Sequence, residues 1–176
     1  MYDKFLGLAA VLLLSAVGAG AVAQTCNTRI PSTAPDSRFT EHGDGTVSDA
    51  ATGLMWMQCT VGVSGVGCLN GAAATFTWQN ALQQAMVANA AGVAGHTDWR
   101  LPNKNELESL VERRCYAPAI NATYFPNMPP SSVVWSSSPF AYRAYYASWY
   151  VNFGDGSVSF GVRSSTVHVR LVRGGQ

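Results

Sequence analysis

Hydrophobic and polar positions change their period twice along this chain, and the changes mark a β region, a helical region and a second β region. Residues 43–56 (GDGTVSDAATGLMW) place two short apolar runs on either side of an Asp/Gly-containing turn. They predict a β-hairpin with strands over 46–48 and 54–58. From 77 to about 91 the period becomes helical. Trp78, Ala81, Leu82, Ala85 and Met86 fall at i, i+3, i+4, i+7 and i+8 and predict one apolar stripe, with Thr77 as cap and Gly92 as stop. TDWRLPNKNEL (97–107) predicts a second helix. Asn103 follows Pro102 and can cap it, and Glu106 can reach back to the cap's own N–H. This helix is expected to run to about residue 113 with Leu107, Leu110 and Val111 inward, while Trp99 and Leu101 enter the core.

The prolines at 118, 126, 129 and 130 predict a long irregular connection over 116–132. The remainder alternates with period two. VVWSSSP (133–139) opens it, and ASWYVNF (147–153) sets Ala147, Trp149, Val151 and Phe153 on one face. After a Gly-Asp-Gly turn, SVSFGVRS (157–164) returns with Val158, Phe160 and Val162 inward. TVHVRLVRG (166–174) alternates Val167, Val169 and Leu171 with His168, Arg170 and Val172. These strands predict an antiparallel meander placed after two helices. The segregation points to an α+β fold rather than a parallel α/β sheet.

The N-terminal end alters the picture of where the fold begins. Lys4 precedes an apolar run over 5–22, and Ala21-Val22-Ala23 matches the small-residue cleavage pattern of a secretory signal peptide, with cutting expected before Gln24. An uncleaved membrane anchor is the competing reading; no other stretch is long and apolar enough to span a bilayer. Residues 24–42, with Pro31 and Pro35, read as an extended arm ahead of a domain over 43–176. About 150 residues remain after cleavage, enough for one domain. The charge of +1 carries no electrostatic footprint for nucleic acid. The four cysteines imply two disulfides in an oxidising compartment, periplasmic or extracellular. Three pairings exist. The Gly-rich stretch 61–67 folds back easily and favours Cys59–Cys68, which leaves Cys26–Cys115. Zinc is disfavoured, because no CxxC pair exists and His42, His96 and His168 are scattered. The Asp44-Gly45 pair reads as turn chemistry rather than a calcium loop.

GDGTVSDAATGLMW, TWQNAL (77–82), TDWRLPNKNEL, VWSSSP (134–139), WYVNFGDGSV (149–158) and the terminal VRLVRGGQ (169–176) occur in one order. Together they resemble the Legionella collagen-like protein C-terminal (Lcl C-terminal) domain family, long catalogued as a domain of unknown function. The resemblance covers about residues 26–176. It implies a C-type-lectin-like fold shared with formylglycine-generating enzymes, with two helices packed on a curled antiparallel sheet and the first hairpin close to the last strand. It also implies association with sulfated polysaccharides, hence an adhesin-like role.

No enzyme chemistry accompanies the resemblance. Formylglycine-generating enzymes use reactive cysteines late in the chain, whereas the last cysteine here is Cys115. Ser136, Ser137 and Ser138 lack a GxSxG elbow and a neighbouring His. Asp98, Glu106, Glu108 and Glu112 read as helix-start and helix-surface carboxylates. The EPN- or QPD-like tripeptide of calcium lectins does not occur, and no cofactor or metal is called for. The best candidate surface is FAYRAYYASWY (140–150). Tyr142, Tyr145 and Tyr146 surround Arg143, and aromatic faces with an arginine fork suit sugar rings bearing sulfate or carboxylate. Arg163 and Arg170, on strand positions read as outward, are expected to extend the patch. The plainer reading is that the tyrosines cover the core and the arginines are solvated. The expected function is non-catalytic recognition of a surface glycan or envelope protein, with a structural role in a homo-oligomer as the alternative.

Overall fold

In the computed structural model, which describes residues 24–143 and 145–174, one C-terminal segment crosses from a five-stranded sheet to a four-stranded one and joins them. The expected signal peptide lies outside the described residues. The arm that follows it is woven into the fold. After β1 (Thr25–Cys26), the strand β2 (Phe39–Glu41) pairs antiparallel with β3 (Thr46–Asp49) and buries Phe39. β3 turns into β4 (Leu54–Met57), as the hairpin pattern predicts. Asp49 holds that turn: its carboxylate accepts from Ala51 N–H (3.0 Å) and the Thr52 hydroxyl (2.6 Å) and pairs with Arg38. Two short strands, β5 (Val63–Ser64) and β6 (Asn70–Gly71), form a ladder within the loop closed by the Cys59–Cys68 disulfide. Gly62 has φ +100°, and a Cβ there would collide with the backbone of Ala72.

β7 (Thr75–Phe76) leads into α1 (Trp78–Ala91). The Thr77 hydroxyl accepts from Asn80 N–H, and Gly92 adopts the left-handed conformation (φ 60°) at the other end. The buried stripe is Ala81, Ala85 and Ala88, while Met86, expected inside, is exposed. Eight residues beyond Trp78 is about 80° around the helix, so Met86 leaves the core. α2 (Lys104–Glu108) carries the predicted capping box. Asn103 Oδ1 accepts from Glu106 N–H (2.9 Å) and Glu106 Oε2 from Asn103 N–H (2.8 Å). It ends five residues earlier than expected because neighbouring backbone takes over: Val111 bridges Ile120, and Glu112 N–H donates to Ala119 O (3.2 Å).

β8 (Cys115–Tyr116) pairs with β1 and sets Cys26 opposite Cys115, so the second expected disulfide forms as well. β9 (Val133–Pro139), β10 (Ala147–Asn152) and β11 (Ser157–Val162) make the antiparallel meander. The last strand departs from the expectation. β12 (Val167–His168) lies on the far side of β9, parallel to it and antiparallel to β7, giving the order β11-β10-β9-β12-β7. The chain then moves over to β13 (Val172–Gly174), which pairs with β4 in the order β13-β4-β3-β2.

Two hydrophobic clusters follow from this crossing. One gathers Phe39, Trp56, Leu107, Ile120, Phe125 and Val151; the other sets Ala81, Ala85, Trp99, Trp135, Val169 and Leu171 against α1. Val134 and Trp135 belong to different clusters, so β9 is buried on both faces. The fold is α+β, with two helices and several antiparallel sheets. Among the described residues no helix is long and apolar enough to cross a membrane.

Candidate functional site

The loop between β9 and β10 is built from two successive tight turns. Arg143 N–H donates to Phe140 O (2.9 Å) and Tyr146 N–H to Arg143 O (3.1 Å), while Phe140 N–H donates to Ala147 O (3.1 Å) and pins the base. These turns push Tyr142 and Tyr145 outward, 82% and 84% exposed. The Arg143 guanidinium lies 5.8 Å from the centre of the Tyr142 ring and 5.5 Å from that of Tyr146. Tyr145 and Tyr146 meet edge to face at 4.8 Å. Among the described residues Arg143 has no acidic partner. Four of the six expected ligand residues therefore form one surface element.

Arg163 adjoins it. Its N–H donates to Tyr146 O (2.8 Å), Nε donates to Ser148 Oγ (2.8 Å), and the guanidinium stacks 3.9 Å from the centre of the Trp78 ring. Arg170 does not belong to the patch. It is 1% exposed, donates to the carbonyls of Met57 (2.8 Å) and Gln58, and rests on the Phe125 ring. The alternation that put it outside assumes a strand with one wet face. Residues 169–173 instead run between the two sheets and are buried on both sides.

A second aromatic cluster beside the loop was not picked out from the chain. Phe140 stacks on Phe160 (3.9 Å, 7° between planes), Trp149 meets Phe140 edge-on at 5.1 Å, and Lys104 of α2 sits 5.8 Å from the Trp149 ring. Trp149 and Phe160 are paired across β10 and β11. They were expected in the core with Val151 and Val158, but the face runs past the core, leaving Phe160 43% and Val162 51% exposed. An apolar groove of about 610 Å³ between α1 and the Cys59–Cys68 loop was missed too, because its walls come from segments far apart in the chain.

The serines, cysteines and carboxylates singled out in the sequence have structural partners. Ser136 Oγ donates to Trp149 O (2.8 Å), and Ser138 Oγ accepts from Lys104 N–H (3.0 Å) at the start of α2. All four cysteines are in disulfides. No group of three His, Cys, Asp or Glu among the described residues is placed to hold a metal. Asp98, read as a helix-start carboxylate, instead pairs with Arg173 of β13 (2.6 Å). Glu106 forms a bidentate pair with Arg100 (2.7 Å for both contacts) while closing the capping box.

Glu112, expected on a helix surface, is buried. Its carboxylate accepts from the N–H groups of Thr33 (3.2 Å), Ala34 (3.0 Å) and Arg114 (3.1 Å) and from the Ser32 hydroxyl. Burial pushes its pKa up, but these donors outweigh it and hold the group below its ordinary 4.5. Asp49 is held below 3.8 in the same sense: Arg38 and Thr52 outweigh burial. A depressed folded pKa contributes stability above the unfolded value and loses it as pH falls through the folded one. Chemical denaturation is thus expected to show these carboxylates' contribution undiminished between about pH 5 and 8 and progressively lost below about pH 5. Glu112→Gln should flatten that loss; an unchanged acid limb would show that Glu112 is not a major contributor.

Among curated proteins none matches the chain. The Lcl C-terminal domain model matches residues 45–173, from the hairpin turn ahead of β3 to the middle of β13 and including the tyrosine–arginine loop, and the chain belongs to that family.

Proposed function

We propose that this is an exported, non-catalytic binding domain of C-type-lectin-like fold that recognises an anionic surface polysaccharide through the Tyr142–Tyr146 loop. The observation that carries the reading is Arg143: exposed, flanked by tyrosine rings and without an acidic partner among the described residues. A guanidinium so placed has a planar fork free for sulfate or carboxylate, and Tyr142 and Tyr145 offer faces for sugar rings. Export is supported by the two disulfides and by the leader-like residues 1–23.

Heparin is a suitable probe. The oxidised mature domain is expected to be retained at low salt and released as salt rises, since exposed charge pairs are screened over about 10 Å at 0.1 M. Arg143→Ala is expected to weaken binding about tenfold, the effect of losing a hot-spot contact of roughly 1–2 kcal/mol. No retention at low salt, together with no effect of Arg143→Ala, would overturn the reading.

A second reading, assembly into a homo-oligomer, rests on the exposed apolar residues Phe160 and Val162 of β11, the edge strand of its sheet. Sizing chromatography separates the two. A stable oligomer that buries Tyr142–Tyr146 favours assembly; a monomer retained on heparin favours glycan recognition.

A further inference from the structure

The groove between α1 and the Cys59–Cys68 loop lies apart from the tyrosine–arginine loop and has the form of a small-ligand site. Its volume of about 610 Å³ falls within the roughly 300–1,000 Å³ usual for such sites. The walls are apolar: Val61, Val63 and Val66 from the disulfide loop, Val87 and Ala91 from α1, and Leu171 from the crossing segment. Val66 and Val87 are 95% and 61% exposed, so two different walls present unpartnered apolar side chains. The loop is braced by its disulfide, by the β5–β6 ladder and by Val61, whose N–H donates to Val169 O (2.9 Å) and whose carbonyl accepts from Ala74 N–H (2.9 Å). A groove braced in this way needs little ordering to receive a ligand.

One end of the groove is polar. Gln58 N–H donates to Gly45 O (2.8 Å), which sets Gln58 beside the turn at 43–45. Gln58 and Thr60 are 5% and 3% exposed and both line the groove. Neither side chain makes a hydrogen bond to any described residue. Their carboxamide and hydroxyl, without a protein partner and reachable from the groove, are available to a ligand that supplies donors there. The flanking charges at that end are of one sign: Glu41 and Asp44 line it, and no Lys or Arg does. Asp44 is tied in place by Thr46, whose N–H (3.0 Å) and hydroxyl (2.6 Å) both donate to Oδ1.

We infer that this groove binds a small amphiphilic cation, an apolar body carrying an ammonium group. The body lies along Val61, Val66, Val87 and Ala91. The ammonium sits at the polar end, where Gln58 Oε1 and Thr60 Oγ1 accept its N–H groups and Glu41 and Asp44 supply the opposing charge. An anionic amphiphile of the same length meets the same walls but the wrong charge, so the head group decides selectivity.

Isothermal titration of the oxidised mature protein with decylammonium, decanol and decanoate, each below its micelle threshold, tests the inference. Decylammonium is expected to bind saturably at one site, at least tenfold more tightly than decanoate, with decanol between. Val87→Trp fills the groove from an exposed helix position and is expected to abolish binding; Ala91→Trp serves the same purpose if the first variant fails to fold. Glu41→Gln combined with Asp44→Asn keeps the turn acceptor for Thr46 and is expected to remove the preference for decylammonium over decanol. Equal binding of decanoate and decylammonium, no saturable binding of decylammonium, or binding unaltered in a folded groove-filled variant would overturn it.

Discussion

Arg170→Ala is expected to destabilise the domain by about 3–5 kcal/mol, read as a lower urea midpoint at unchanged slope. The side chain is 1% exposed and has no carboxylate partner among the described residues. Burial draws its pKa down to about 9, so the guanidinium is still a cation at neutral pH. Its charge is met by the carbonyls of Met57 and Gln58, by the Phe125 ring 4.8 Å away and by Met128 Sδ at 3.6 Å from Nη2. Alanine removes the packed stem, opens a cavity between the sheets and leaves two carbonyls without their donor. Arg170→Met should cost less, because it keeps most of the volume and no longer buries a charge, although the carbonyls stay unpaired. The folded Met variant is expected to behave on heparin as the wild type does, since Arg170 lies outside the tyrosine–arginine loop. A loss of under about 1 kcal/mol for alanine would mean that Arg170 does not hold the two sheets together.

The second large effect concerns the disulfides, which close loops of very different length. Cys26–Cys115 joins residues 89 apart, and Cys59–Cys68 residues 9 apart. Loop-closure entropy alone assigns about 4–5 kcal/mol to the first and about 2–3 kcal/mol to the second. Ahead of the Glu112 contacts at residues 32–34, few interactions hold the first residues. The β1–β8 ladder is two residues long, supplemented by Asn27 N–H to Arg114 O (2.8 Å) and Gln24 Nε2 to Ile120 O (2.6 Å). Replacing both Cys26 and Cys115 by serine is therefore expected to lower the thermal midpoint by on the order of 10 °C or more, and clearly further than the double serine variant at 59 and 68. Equal losses from the two double variants would show that loop length is not what sets the contribution.

The interactions that could be read along the chain were those between near neighbours. Thr77 and Gly92 bound α1, Asn103 and Glu106 close a capping box three residues apart, and the hairpin turn at 49–53 is made by Asp49 with the two groups that follow it. The candidate loop stood out by composition, Tyr142, Tyr145 and Tyr146 around Arg143; its two i to i+3 turns, which expose Tyr142 and Tyr145, came from the structure. The pairing of Cys59 with Cys68 was favoured by the short glycine-rich stretch between them, and it left Cys26 for Cys115.

Period and propensity alone settled that the chain alternates β, helical and β segments and where most of them begin, because those signals arise within a few residues. Which side of a strand meets water came from partners far away in the chain. Alternation says that Arg170 and Leu171 point to opposite faces, but both are buried: Phe125 and Met128 of the irregular connection cover Arg170, and Leu171 packs in the cluster against α1. The early end of α2, the exposure of Phe160 and the burial of Glu112 have the same origin, in backbone and side chains brought together from distant positions. So does the groove, where Gln58, Val66, Val87 and Leu171 meet only once the Cys59–Cys68 loop is laid against α1. A local pattern constrains a residue's direction relative to its own segment; whether that direction is core, solvent or ligand site depends on what packs opposite.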